Sequence, residues 1–258
     1  MANRPLILVV NDDGIESPGI RKLISIMNDF GDVIVVAPDS PKSGMSHAIT
    51  LDSIIRCKKL PRNDNLQIEY SCTGTPVDCV KLALNKILNK KPDLCVSGIN
   101  HGSNSSINTI YSGTIAAAIE ASIEGIPSIG FSLLDHSIDA NFEESDYFIR
   151  KIIKKILNNK IQRNLCLNIN IPKSIPNKKI MGIKICKQAN SKWIEEFEER
   201  YDSRGEKYYW LTGKFICNDD RINTDEYALT NHYISVVPVN TDFTDINLMS
   251  KLTSFFSE

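Results

Sequence analysis

The sequence predicts an α/β protein: a three-layer, Rossmann-like, mostly parallel sheet with helices on both faces, plus an extended C-terminal hairpin or arm. Three observations predict this class. Apolar runs typical of strands alternate with helix-like segments, an order that favours parallel strands. The first run, Leu6–Val10, is apolar throughout, as expected of a strand covered on both faces. After Lys187 the chain becomes polar with scattered aromatic residues, which sets that stretch apart.

The first strand is followed by signals for a helix and a second strand. Ser17 is suited to cap a helix N-terminus, and Pro18 to occupy the first helical position. Apolar residues then recur at helical spacing, and Gly31 is expected to close this helix. The β-branched run at 33–37 predicts a second buried strand that Pro38 stops.

The same signals continue to residue 171. Residues 38–50 read as a polar loop, and residues 98–113 as a polar, glycine-containing stretch. Thr75, Pro76 and Asp78 form a second helix-start pattern. The remaining predicted elements are peripheral strands near 54–55 and 68–70, strands at 93–97, 126–132 and 165–171, and helices at 114–124 and 145–158.

The C-terminal third has weaker periodicity. Residues 188–231 are either an extended hairpin that packs on a partner subunit or an irregular surface excursion. A last strand at 233–237 and a terminal helix at 246–256 are expected after it. We therefore divide the chain into an α/β domain at 1–187, the polar stretch at 188–231 and a C-terminal strand and helix at 232–258.

Composition excludes several classes of protein. The net charge of −1 gives no bulk attraction to nucleic acid polymers or membrane surfaces. No run of about 18 apolar residues predicts a membrane-spanning helix, and the first apolar run is too short for a signal peptide. We expect a soluble cytoplasmic protein. The seven cysteines include no C-x-x-C pair, and four of them, Cys79, Cys95, Cys166 and Cys186, read as small core residues.

The sharpest chemical signal is the pair Asp12-Asp13 directly after the first strand. Adjacent carboxylates repel each other unless a cation lies beside them. Ligation by oxygen atoms suits Mg²⁺, Mn²⁺ or Ca²⁺ rather than zinc. Gly14 permits a tight turn after the pair. The alternative is a structural Asx-type turn with a helix-capping acid.

A second signal is Ser112-Gly113-Thr114, which opens a helix after a loop. Free N–H groups and the helix dipole make such a start an anion site. Ordinary capping by Ser112 is the alternative. Because ligands bind at the carboxyl ends of strands in open sheets, a metal and an anion there predict phosphate-ester chemistry. His47 and His101 lie in these loops and are candidates for proton transfer or plain solvated residues.

Several motifs resemble those of the SurE family of 5′/3′-nucleotidases, in the same order along nearly the whole chain. They are Leu8–Ile15, Val35–Asp39, Ser43-Gly44, Thr73–Cys79, Ser97–Asn104 and Tyr111–Ala117, with weaker matches at Asn168–Pro172 and Thr224-Asp225. Where this family often has glycine and acidic residues before the Ser-Gly-Thr turn, this chain has Ser105–Ile110.

The resemblance implies an enzyme that hydrolyses nucleoside 5′- and 3′-monophosphates to nucleoside and phosphate; some members also cleave short polyphosphate. It implies one divalent metal ion per subunit, Mg²⁺, Mn²⁺ or Ca²⁺, held by Asp12, Asp13, Ser43 and Asn100. It places the phosphate on Asn104, Ser112, Gly113 and Thr114. In our hypothesis for such an enzyme, Asp12 or Asp13 positions the attacking water and accepts its proton. It also implies a homodimer or homotetramer that exchanges C-terminal segments. On that basis 1–187 is the expected catalytic domain and 188–231 the expected oligomerisation arm.

Two other classes use acidic metal sites on α/β folds. A receiver-type signalling module would need a separate phospho-acceptor aspartate and is about half as long as this chain. A nucleotide-sugar glycosyltransferase would favour a D-x-D pattern, whereas this chain has a D-D pair. The metal-dependent nucleotidase is therefore the leading hypothesis.

Overall fold

The computed structural model describes residues 4–61, 66–137, 139–159 and 165–257. The strands of these residues are β1 (Leu6–Val10), β2 (Asp32–Pro38), β3 (Cys57–Lys59), β4 (Gln67–Cys72), β5 (Leu94–His101), β6 (Ser128–Leu133), β7 (Cys166–Ile171), β8 (Ile183–Ile185), β9 (Ser191–Tyr201), β10 (Lys207–Cys217) and β11 (Ile234–Pro238). The helices are α1 (Pro18–Met27), α2 (Pro76–Leu82), α3 (Asn108–Tyr111), α4 (Gly113–Ile123), α5 (Glu143–Asn158), α6 (Asp225–Thr230) and α7 (Ile246–Phe256), and a π-helical turn (Ala83–Ile87) follows α2.

Nine of the described strands form one sheet in the order β3-β4-β2-β1-β5-β6-β7-β11-β8. From β4 to β7 all neighbours are parallel. The edge strand β3 and the pair β7–β11 are antiparallel. The predicted mostly parallel sheet is therefore confirmed.

The two faces of the sheet are covered by different helices. Along β1, Ile7 and Val9 pack with α1 and α5, whereas Leu8 and Val10 pack with α2 and α4. Side chains alternate across a strand, so a strand covered on both sides must be apolar at every position. Burying each such side chain contributes roughly 1.5–3 kcal/mol. This arrangement confirms the three layers.

Two local predictions were wrong. The first helix ends at Met27, before Gly31. A Cβ at Gly31 would lie 2.2 Å from the carbonyl oxygen of Pro5, so this glycine permits a close chain approach instead of ending the helix. The strand expected near 54–55 lies at β3, where Cys57 pairs with Cys72.

Other differences concern extent. The strand predicted at 93–97 continues to His101 as β5, into the expected polar stretch. The sequence did not predict β8 or α6. Helix α6 packs through Ala228 against Val237 and Cys186. It therefore covers part of the sheet and is not an isolated surface segment. All four cysteines predicted to lie in the core are buried.

The polar stretch after Lys187 contains a long hairpin, as one of the two alternatives predicted. Strands β9 and β10 pair along their full length as a separate two-stranded sheet. Most described side chains along the hairpin are exposed. None of the helices in the described ranges is both long and apolar enough to cross a membrane.

Candidate active site

The carboxyl ends of three neighbouring strands form one edge of the sheet, because β1 lies between β2 and β5. The chain leaves β1 towards β2 and later returns to β5 on the opposite side, which opens a crevice beyond the strand ends. Asp12 and Asp13 follow β1, Ser43 lies in the loop after β2, and Asn100 lies near the end of β5. Residues far apart in sequence thus converge here.

A cleft of about 590 Å³ occupies this edge, a size suited to a small-molecule ligand. It is lined by Asp12, Ser43, Gly44, Asn100, His101, Gly102, Ser103, Asn104, Asn108, Tyr111, Ser112, Leu134, His136, Trp193, Phe215 and Glu226. Asp13 is not part of this lining. Its Oδ2 atom lies 3.4 Å from the backbone nitrogen of His101, next to Asn100.

Asp12 is buried, and its neighbour Asp13 is half-buried. Burial and the charge of Asp13 raise the pKa of Asp12 to about 6, although hydrogen bonds from Thr114 oppose the rise. Burial also raises the pKa of Asp13. Among the described residues, no lysine, arginine or histidine lies within salt-bridge distance of either carboxylate. Buried charges of one sign are costly unless a cation pairs with them, so the pair fits a metal site.

The neutral residues of the predicted metal set present oxygen atoms. Asn100 donates through its Nδ2 atom to the carbonyl of Gly102 at 2.9 Å, which leaves its Oδ1 atom available as a ligand. The pairing of β5 with β6 shifts in register between Ser97 and Asn100, near the end of β5. Ser43 is exposed. The backbone N–H of the preceding residue, Lys42, donates to the backbone carbonyl of Asp12 at 2.7 Å, which holds this loop next to the end of β1.

This donor set fits a hard cation. Carboxylate, hydroxyl and amide oxygens are the ligands of Mg²⁺, Mn²⁺ and Ca²⁺. The described chain has no group of three or more His, Cys, Asp and Glu side chains that could hold a metal together. A site here would therefore depend on two carboxylates completed by neutral oxygens.

The predicted anion turn lies at the N-terminus of α4. Ser112 accepts a hydrogen bond from the N–H of Ile115 at 3.1 Å, so it caps the helix as the alternative reading expected, while it also lines the cleft. The hydroxyl of Thr114 donates to Oδ1 of Asp12. A Cβ at Gly113 would lie 2.8 Å from Cβ of Asp12, so only glycine permits this approach. The helix start therefore contacts Asp12 directly.

Asn104 is held rigidly from β6 and β7. Its side-chain Nδ2 donates to Ser132 at 2.8 Å, and its backbone N–H donates to Asn170 at 2.8 Å. Asn168 donates to its carbonyl at 2.7 Å. The polar side chains of Asn168 and Asn170 on β7 thus anchor the loop that carries Asn104. A side-chain amide has two N–H groups, so the second one of Asn104 can donate to a ligand in the cleft.

Sequence reasoning missed the residues that close the cleft from the C-terminal half. Trp193 and Phe215 come from the base of the hairpin, and Glu226 comes from α6. Ser105 donates a hydrogen bond to Glu226, and the N–H of Ser106 donates to Asp225 at 2.7 Å. The only sequence signals were aromatic residues in a polar stretch and the weak Thr224-Asp225 motif match.

The two candidate histidines have different positions. His101 lines the cleft, and its Nδ1 atom lies 3.1 Å from the carbonyl oxygen of Ser137. His47 lies 2.9 Å from the carboxylate of Glu120, which Lys81 contacts from the other side at 2.5 Å. That cluster is outside the cleft, so of the two candidates only His101 lines it.

A larger cavity, of about 880 Å³, is also lined by Ser112. Its lining is mainly apolar, includes Ile119, Ile123, Ile185 and Phe243, and contains no carboxylate among the described residues. The smaller cleft combines carboxylates, amides and a helix N-terminus and contains no lysine or arginine among its described lining residues. An anionic ester would need a cation there, so we assign the chemistry to the smaller cleft.

Comparisons with known proteins identify the family of the chain. The family model described as Survival protein SurE matches residues 7–195. The chain is 56% identical over 253 residues to the 5′-nucleotidase SurE of Christiangramia forsetii, covering 98% of this chain and 97% of the relative. It is also 56% identical over 252 residues to the 5′-nucleotidase SurE of Flavobacterium johnsoniae, with 98% and 97% covered. The crystal structure of the SurE protein from Aquifex aeolicus superposes with a TM-score of 0.81 at 37% identity, covering 97% and 99% of the two chains.

Proposed function

The chain belongs to the SurE family, and on that premise we propose that its cleft beside Asp12 hydrolyses nucleoside monophosphates to nucleoside and phosphate. The protein is a phosphoric monoester hydrolase of the 5′-nucleotidase type. The observation that carries the location is the pair of buried Asp12 and half-buried Asp13, which has no cationic neighbour among the described residues. Asp12 also contacts the N-terminus of α4.

We assign the metal to Asp12, Asp13, Ser43 and Asn100, with Mg²⁺ or Mn²⁺ as the leading ions and Ca²⁺ as a further candidate. Such a cation, when bound, neutralises phosphoryl charge and acidifies water. Burial and the charge of Asp13 raise the pKa of Asp12, and a dication bound beside it would offset both effects. Binding therefore relieves a cost that the metal-free fold carries.

The phosphate is assigned to the start of α4 and to Asn104. The N–H groups of Gly113 and Thr114 and the hydroxyl of Ser112 supply donors at a positive helix end. The amide of Asn104 supplies a further donor from the opposite wall. Thr114 keeps Asp12 oriented through its hydroxyl, which connects the phosphate site to the carboxylates.

The remaining step is proton transfer. A carboxylate of the pair is the proposed acceptor for the proton of the attacking water, because Asp12 lines the cleft and Asp13 lies beside it, next to His101. His101 lies in the same cleft and is placed to pass a proton towards solvent. The departing nucleoside leaves through the open side of the cleft.

The test is the pair of variants Asp12→Asn and Asp13→Asn, assayed on AMP and p-nitrophenyl phosphate with Mg²⁺ or Mn²⁺. Loss of partners behind metal ligands costs 10–100-fold in typical enzymes, so loss of a ligand should cost about 100-fold or more. Asp52→Asn is the matched control, because Asp52 is exposed and lies outside the cleft lining. Full activity in both site variants, or activity insensitive to EDTA, would refute the assignment.

Two finer proposals follow from the family. We propose 3′-monophosphates and short polyphosphate as secondary substrates, to be compared with AMP under matched metal concentration. We also propose a homodimer or homotetramer formed through the C-terminal segments. Helix α7 supports this, since it contains no buried residue and exposes Leu248, Met249 and Leu252.

A further inference from the structure

Two aromatic side chains from the hairpin lie in the cleft. Trp193 of β9 and Phe215 of β10 are direct register partners, with ring centroids 5.7 Å apart in an edge-to-face arrangement. Both line the same cleft as Asp12 and Ser43. Trp193 is 39% exposed, so its ring is not fully buried against other side chains and can contact a ligand.

The base of the hairpin is fastened to the loop that bears Asn104. The indole N–H of Trp193 donates to Oδ1 of Asn108 at 2.7 Å. The hydroxyls of Ser106 and Ser191 lie 2.5 Å apart. On the other side of the indole, a Cβ at Gly213 would lie 2.9 Å from its Cε3 atom, so glycine leaves room for the ring. The indole is therefore held between the loop and β10.

This placement distinguishes Trp193 from the other tryptophan. The chain has two tryptophans, and Trp210 lies further along the same hairpin. Trp210 is exposed and does not line the cleft. Position, and not aromatic content alone, therefore identifies the ring that can contact a ligand.

We propose that Trp193 and Phe215 form the surface against which the base of the bound nucleotide packs. The inference rests on the proposed function, because it names the part of that site that receives the nucleoside. Every base has an apolar π-face, so stacking on aromatic rings tolerates different bases. The polar side chains of Asn108, Tyr111 and Glu226 lie around the same space and meet the edges of the nucleoside.

The first test compares a substrate that has a base with one that lacks it. In Trp193→Ala, the ratio of kcat/KM for AMP to that for ribose 5-phosphate should fall by about 5- to 100-fold, the range that loss of one stacking ring produces. In the matched control Trp210→Ala the ratio should stay at the wild-type value. A ratio within twofold of wild type in Trp193→Ala would overturn the proposal.

A conservative variant separates stacking from anchoring. Trp193→Phe retains an aromatic face but loses the N–H that reaches Asn108. It should keep most of the preference for AMP. If Trp193→Phe lost as much preference as Trp193→Ala, the ring would act by holding the loop, and the base surface would be refuted.

A binding measurement tests the contact without catalysis. In Trp210→Phe the only indole left is Trp193, so its fluorescence reports on this surface alone. Adenosine should change that emission saturably, whereas ribose should not. No change with adenosine would contradict the proposal. If the wild type hydrolysed neither AMP nor ribose 5-phosphate, the proposed function itself would fail, which separates the two outcomes.

Discussion

The hydroxyl of Thr114 donates a hydrogen bond to Oδ1 of Asp12, which joins the first turn of α4 to the end of β1. Hydrogen bonds to the ionised carboxylate favour the charged form, and those from Thr114 lower the pKa of Asp12 against burial and Asp13. One contact thus connects the residue that we assign to the metal with the helix that we assign to the phosphate.

Thr114→Val should lower kcat/KM for AMP by about 10- to 100-fold, because it removes the donor that orients Asp12 while it keeps the side-chain shape. Thr114→Ser keeps the hydroxyl and is the control; it should retain most of the activity. Steady-state kinetics with saturating Mn²⁺ measure the difference. Equal activity in the Val and Ser variants would mean that this hydrogen bond does not orient the site.

Gly113→Ala should also inactivate the enzyme without unfolding it. The added methyl would lie 2.8 Å from Cβ and 3.0 Å from Oδ2 of Asp12, so the carboxylate must move. Alanine is otherwise favoured over glycine in a helix by about 1 kcal/mol, so the melting temperature should change little. Activity and thermal melting, measured on the same sample, separate a displaced ligand from a destabilised fold. Wild-type activity would show that the site tolerates the shift.

Asp12→Asn should make the metal-free protein more stable at neutral pH. The folded-state pKa of Asp12 is raised from 3.8 to about 6, so the folded protein binds its proton more tightly than the unfolded chain does. Stability is therefore lost as pH rises from about 4 to 6, and the cost persists above pH 6. With EDTA at pH 7.5 the variant should melt about 2–5 °C above wild type.

Addition of Mn²⁺ should reverse that order, because a ligand that binds only the folded state stabilises it by mass action. The wild-type melting temperature should rise with Mn²⁺ concentration, and that of Asp12→Asn should not. The advantage of the metal-free variant should shrink towards pH 4. Equal melting of both proteins under all conditions would contradict a metal role for Asp12.

Glu120→Gln should destabilise the fold at neutral pH without disturbing the cleft. A hydrogen bond with His47 lowers the pKa of Glu120, and Lys81 adds to this effect despite burial. The stabilisation is present above the ordinary pKa of 4.5 and is lost as pH falls through the lowered folded-state value. The variant should lose about 1–3 kcal/mol in chemical denaturation near pH 7. The exposed neighbour Glu124→Gln is the control and should change stability by less than about 0.5 kcal/mol.

Leu252→Glu should dissociate the proposed oligomer. Leu252 is 44% exposed on α7, which has no buried residue within the described chain. A charged side chain at this position has little free-energy cost in the monomer, where it lies in solvent. Its burial in an apolar interface between subunits would be costly. Light scattering should show a smaller mass than for wild type. Lys251→Glu changes charge on the same exposed helix and should leave the mass unchanged, and an unaltered mass in Leu252→Glu would exclude α7 from the interface.

Much of the fold could be predicted because its signals are local. The run Leu6–Val10 is apolar at every position, and the two cores on either side of β1 explain why. The pattern at 246–256 predicted α7 with its observed bounds. The short strand β8 and helix α6 escaped prediction, since three to six residues carry too little periodicity to stand out.

The candidate site divides in the same way. Asp12-Asp13 and Ser112–Thr114 stand out in the sequence because repelling carboxylates and a helix start have recognisable local chemistry. Their contact, and the closure of the cleft by Trp193, Phe215 and Glu226, depended on how sheet order and the hairpin bring distant segments together. Sequence patterns reflect interactions between residues that are close together along the chain. Only packing decides which side chains from separate elements share one small space.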